Sequence, residues 1–179
     1  MYEVMKLSED YIQSKDIDWF CCINGIYVHA ASAGGELPNI VNDYNKLRGI
    51  QEAVSKLPDI YKDEELIFNE TFIKKELENN INLLRNKGIF NGQYDPNKGF
   101  EYYIFTFKSM ARKGFISYDR THVNEIDDNH YHWVARPCND SCIPEIEIPI
   151  VEAKIDKQSL LDQELDLIKL LKEAKIVRN

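Results

Sequence analysis

Residues 19–38 read WFCCINGIYVHAASAGGELP, and the reading of this stretch decides the fold. Two runs rich in aromatic and β-branched residues flank Asn24-Gly25. That dipeptide tolerates positive φ at both central positions of a type I′ turn, so the stretch predicts a tight β-hairpin. In its first strand Trp19, Cys21 and Ile23 share one face and Phe20 and Cys22 the other. Both sets are apolar, which predicts a strand covered on two sides and placed in the middle of a sheet. The second strand runs into Ala33-Gly34-Gly35, where missing side chains allow a sharp turn, and Pro38 is suited to opening a helix.

Working outward, residues 2–15 suggest a short helix. Ile40, Tyr44, Leu47, Ile50, Val54 and Leu57 recur at spacings of three and four, the pattern of a helix with one buried stripe. Leu66, Ile73, Leu77, Ile81 and Leu84 continue that period to Gly88, with Asn69 and Thr71 as caps between two pieces. Residues 88–99, GIFNGQYDPNKG, predict a loop, and Phe100 to Ala111 an aromatic-rich helix ended by Gly114. Phe115 to Arg120 and His130 to Arg136 predict an antiparallel pair across an acidic loop. Ile143 to Val151 alternates like an exposed edge strand, and Asp156 to Lys175 carries the stripe of one amphipathic helix. The expected architecture is a single α+β domain over residues 1–179, a four- to five-stranded, mostly antiparallel sheet packed with several amphipathic helices.

The totals bound the function. A chain of 179 residues with a net charge of −8 is disfavoured as a non-specific nucleic-acid binder, because neutralising phosphates requires a basic surface. No run approaches the length of a membrane helix and no signal-peptide pattern opens the chain, so a cytoplasmic protein is expected. Two of the four cysteines are adjacent, at Cys21-Cys22, unlike a secreted disulfide framework. Acidity is segregated: residues 59–80 hold seven acids against three bases, and residues 115–150 seven against two. Such a distribution suits solubility, or a complementary surface for a basic partner.

Chemistry-bearing residues are sparse. His130 and His132, with Cys138 and Cys142 and with His122 upstream, offer four donors for a tetrahedral zinc, since residues two apart on a strand share a face. The order matches no standard zinc finger. Ser32, Cys21 and Cys22 are conceivable nucleophiles with His29 as base, but Ala30 to Gly34 lacks the first glycine of a nucleophile elbow. Gly34-Gly35 carries no following lysine of a phosphate loop. Glu125, Asp127 and Asp128 lack the alternation and terminal glutamate of a calcium loop.

The combination of Asp18-Trp19-Phe20, Asn24-Gly25, His29, Ala31-Ser32-Ala33-Gly34-Gly35 and Pro38 with Met110 to Phe115, Ser117 to Arg120 and Tyr131-His132 resembles a group of small uncharacterised bacterial proteins. These are similar in size and acidity to cytosolic immunity proteins, which neutralise toxins delivered between competing bacteria. The resemblance implies a non-catalytic binding protein that inhibits a toxin or enzyme, and it transfers no catalytic residue. The expected partner surface comprises Glu125, Asp127 and Asp128 together with Ser32, Gly34, Gly35 and Glu36. The competing expectation is a small metal-dependent or hydrolytic enzyme built on the His130, His132, Cys138 and Cys142 cluster.

Overall fold

The computed structural model describes residues 5–125, 127–139, 146–162 and 164–178. The hairpin forms as its sequence demands: β1 (Asp18–Ile23) and β2 (Ile26–Ala31) pair antiparallel, with Asp18 opposite Ala31 and Ile23 opposite Ile26. Asn24 and Gly25 take φ of 51° and 82°, the left-handed region a type I′ turn needs at both centres.

Six helices and eight strands appear among the described residues. The helices are α1 (Glu9–Gln13), α2 (Tyr44–Ser55), α3 (Glu70–Asn86), α4 (Pro96–Arg112), α5 (Lys157–Asp162) and α6 (Leu167–Glu173). The remaining strands are β3 (Leu66–Phe68), β4 (Ile116–Arg120), β5 (His130–Pro137), β6 (Ile150–Glu152), β7 (Leu165–Asp166) and β8 (Lys175–Arg178). They join one sheet in the order β3-β5-β4-β2-β1-β6-β8, with β7 on the same strand, β5, that β3 flanks. The hairpin is therefore central, as its two apolar faces require.

The α+β class is as expected, but the sheet is larger and mixed. β2 pairs parallel with β4, and β1 parallel with β6, while the other neighbours are antiparallel. Four strands have two to four residues each and lie beneath the resolution of a periodicity argument. β3 interrupts a stretch read as helical. Of the edge strand predicted at 143–151, residues 143–145 lie outside the described residues and only Ile150 and Val151 are in a strand, β6, which is internal: it lies between β1 and β8, and Ile146 and Ile148 before it are buried. The C-terminal helix is likewise divided. Leu165 and Asp166 pair with Tyr131 and His130, and the Asp166 carboxylate then accepts from Lys169 N at 2.9 Å, which caps a separate α6. Pro38 opens only a turn; α2 begins at Tyr44, where Asp43 accepts from the amides of Asn45 and Lys46.

Two apolar layers cover the sheet. On one face Trp19, Cys21, Ile23, Val28, Ala30, Tyr118 and Tyr131 pack against Leu160 of α5 and Leu167, Ile168 and Leu171 of α6. On the other, Phe20, Cys22 and Phe115 meet Ile50 and Val54 of α2, while Ala31, Val134 and Ala135 meet Phe100, Ile104, Phe107 and Ala111 of α4 and Ile73 of α3. Each such buried side chain contributes roughly 1.5–3 kcal/mol of transfer free energy. The helices of the second layer roof a row of polar side chains that the strands would otherwise present to water.

Candidate functional site

That row begins at the hairpin. His29 is fully buried and lies between Asp18, whose Oδ1 is 3.0 Å from Nε2, and Ser117, whose Oγ is 3.1 Å from Nδ1. The register produces the contact: β2 and β4 are parallel with His29 opposite Ser117, and Asp18 lies across the hairpin two residues before Phe20, the partner of His29, and so on the same face. The order carboxylate, imidazole, hydroxyl is that of a nucleophilic triad. The surroundings are not those of one. Ser117 is also fully buried and its hydroxyl donates to the Phe107 carbonyl at 3.2 Å, under the rings of Phe20 and Phe107 that flank His29. The line joins β1, β2, β4 and α4 through polar groups that satisfy one another, His29 and Ser117 fully buried and the Asp18 side chain 39% exposed.

A second chain continues along the sheet. Tyr103 of α4 donates its hydroxyl hydrogen to Asp119 Oδ2 or shares it with His132 Nε2 at 3.1 Å, and His132 Nδ1 lies 3.1 Å from Thr121 Oγ1. Asp119 and His132 are cross-strand partners on β4 and β5. Burial pushes the Asp119 carboxyl up to about 7; the Tyr103 hydrogen bond opposes the rise, and the charges of Asp16 and Asp18 add to it. Burial also holds the His132 imidazole down to about 4, with His122 contributing, and it raises the Tyr103 phenol, helped by the Asp119 charge.

Among the described residues, His130, His132 and Cys138 of the zinc expectation are not gathered. His130 is exposed and bonded to Asp128 Oδ1 at 2.9 Å, whereas His132 is buried and has both ring nitrogens engaged. Cys138 follows the far end of the same extended strand, its amide on the Glu65 carbonyl, so six residues of β-structure separate it from His132 by roughly 20 Å. Cys142 lies outside the described residues. Among the described residues no group of three or more His, Cys, Asp and Glu is placed to hold a metal ion. The nucleophile candidates are similarly placed inside the fold: Cys21 and Cys22 are buried, and burial raises both thiols. Ser32 is fully buried with its Oγ accepting from Ile17 N at 2.9 Å, and His29 faces Ser117 instead.

The two segments expected to contact a partner do come together. Arg120 at the end of β4 is buried and donates from Nε to the Asp128 carbonyl at 2.9 Å and from its terminal nitrogens to the carbonyls of Glu125 at 2.5 Å and Ala33 at 3.3 Å. One guanidinium thereby joins the 121–129 loop to the Ala33–Glu36 turn. Asn129 Nδ2 adds a bond to Glu36 Oε2 at 3.3 Å. Above this junction lie two adjoining hollows. One of about 530 Å³ is bounded by Glu9, Glu36, Asp127 and Asn129, and one of about 430 Å³ by Glu125, Asp127, Asp128 and Asp166. Glu36, Glu125 and Asp127 are exposed, while Ser32 and Gly35 lie beneath the surface as its support.

Three acids of the other acidic segment, residues 59–80, form ion pairs within the fold. Asp63 pairs with Lys108 and Arg112 at 2.6 Å each, Asp59 with Lys113 at 3.6 Å, and Glu70 with Lys74 at 2.5 Å. On the 121–129 side Glu36 pairs with Lys172 at 2.9 Å and Asp128 with His130 at 2.9 Å, while Glu125 and Asp127 are exposed.

The sequence offers no site role for the row of Asp18, Ser117, Tyr103, Asp119 and Thr121, of which Ser117 is fully buried and the rest half-buried. Its one legible trace is Ser117-Tyr-Asp119-Arg-Thr121, alternating polar residues on one face of a strand otherwise buried. Comparison with protein-family models, with curated proteins and with solved structures finds no match to this chain.

Proposed function

We propose that the protein is a non-catalytic, cytoplasmic protein-binding domain whose acidic edge takes a basic toxin or enzyme partner, in the manner of an immunity protein. The observation that carries this reading is the joining, by Arg120, of two segments almost ninety residues apart into one acidic surface with two hollows. Like charge gathered on one side accelerates encounter with a cationic partner and disfavours anionic ones. The polar row supports it indirectly, since its hydroxyls and imidazoles satisfy one another beneath the helices.

The experiment is capture of a protein partner from cells in which this gene and its genomic neighbours are expressed together, followed by binding kinetics of the purified pair. A stoichiometric complex is expected. Glu125→Lys with Asp127→Lys, whose side chains are exposed, should slow association at low salt by on the order of tenfold and much less at high salt. Association rates unchanged at both salts would remove the acidic edge as the contact surface.

A further inference from the structure

The phenolic oxygen of Tyr103 has a single hydrogen and two neighbours that compete for it, the Asp119 carboxyl and His132 Nε2. His132 Nδ1 in turn meets the Thr121 hydroxyl, which can donate or accept. Four groups in series with this alternation have only two self-consistent arrangements. We infer that Asp119, Tyr103, His132 and Thr121 form a reversible proton chain, all of whose hydrogens point one way when Asp119 is a carboxylate and the other way when it is a carboxylic acid.

With Asp119 ionised, the Tyr103 hydroxyl donates to it, His132 carries its hydrogen on Nε2 and donates to the Tyr103 oxygen, and Thr121 donates to Nδ1. One proton added from solvent at the Thr121 oxygen, with one hydrogen passed along each link, leaves Asp119 protonated and donating to Tyr103, Tyr103 donating to Nε2, and Nδ1–H donating to Thr121. Each O–H or N–H bond broken is replaced by one formed, and the only charge that changes is that of Asp119. The imidazole stays neutral but exchanges tautomers.

The scaffold suits such a transfer. His132 lies between the ring of Phe72 of α3, centroids 4.9 Å apart, and that of Tyr103, inclined to it by 12°, so its plane is fixed while its hydrogen moves. The titratable groups around the chain come from every neighbouring element. Asp16 and Asp18 approach from the β1 side, His29 from β2, Arg120 and His122 follow along β4 and its loop, and Glu76 of α3 acts on Tyr103. Asp16 and Asp18 favour the protonated arrangement by raising the Asp119 carboxyl. The chain also ends at the acidic edge, because Asp119 Oδ1 accepts from Arg120 N at 2.9 Å and Thr121 N bonds to the His130 carbonyl at 2.8 Å, at the base of the 121–129 loop.

Long-range proton–nitrogen NMR spectra of the intact protein, with the His132 signals assigned by a His132→Gln variant, test the inference without any partner. The hydrogen of His132 is expected on Nε2 at about pH 8.5 and on Nδ1 at about pH 5.5, a window that brackets the raised Asp119 carboxyl, and His122→Gln, which removes the imidazole that acts on His132, should leave the exchange in place. Asp119→Asn should abolish the exchange and hold one tautomer at both values. If that variant does not fold, Tyr103→Phe, which cuts the middle link, should uncouple His132 in the same way. One tautomer throughout in the unmodified protein, or an exchange that persists in the variant that folds, would overturn the proposal.

Discussion

At the scale of single residues, the polar row fixes how stability responds to pH. Asp119 titrates near 7 in the fold against 3.8 when unfolded, so the folded state holds the extra proton between those values. Its contribution is full below the lower value and is lost as pH rises through the upper one. His132 works in the opposite sense. Its folded value of about 4 lies below the ordinary 6.5, so the unfolded state binds the extra proton and stability falls as pH drops from 6.5 towards 4. The two slopes oppose each other across that interval. Urea unfolding of Asp119→Asn should therefore show stability rising with pH between about 4 and 6.5, where the unmodified protein is comparatively flat. A variant as flat as the parent would contradict the assignment.

The serine of the turn gives a second test at this scale. Ser32→Ala leaves the buried Ile17 amide without its acceptor and should cost about 1–3 kcal/mol in the same assay. Gly34→Ala should destabilise at least as much, because φ is +76° there and a Cβ would approach the Gln13 carbonyl oxygen to 2.8 Å. Retained stability would mark Gly34 as free for another role.

At the scale of elements, the helices are held by their ends as well as their faces. Asp95 Oδ1 accepts from Asn97 N at 2.9 Å and Lys98 N at 3.3 Å and starts α4 inside a segment whose glycine, asparagine and proline content predicts a loop. Asp95→Ala should lower stability by about 1 kcal/mol and lower the thermal midpoint by a few degrees; an unchanged midpoint would show that packing alone starts the helix. The hairpin, the long helical stripes and the β4–β5 pair were legible because each repeats a side-chain period over five or more residues. β3, β6, β7 and β8 were not, because a strand of two to four residues is specified by the neighbour it pairs with. Pairing also hid the polar row: Asp18, His29 and Ser117 are brought together by the register of β1, β2 and β4, which no local pattern encodes.

The acidic edge shows the same division at the scale of the whole molecule. Glu36, Glu125, Asp127 and Asp128 were readable as charges, but their assembly depends on Arg120, which the sequence presents only as the last residue of a strand. Arg120→Met retains the length of the apolar stem and removes the donors to three carbonyls. Its expected cost is at least about 3 kcal/mol, accompanied by faster proteolytic cleavage within residues 121–129. Cleavage at the parent's rate would show that the loop is held by other contacts.

The parallel pairing of β2 with β4 also has a kinetic consequence. Val28 must find Ile116, and the intervening residues supply three helices before the partner strand is reached. The Asn24-Gly25 hairpin can close within microseconds, yet its outer edge stays open until two-thirds of the chain has been synthesised. During that interval this apolar hairpin, including both adjacent thiols, is a half-finished template accessible to any other strand. Recovery of the native fold from denaturant should consequently decline with protein concentration and improve with a thiol reductant, making early protection of this hairpin the step that limits yield.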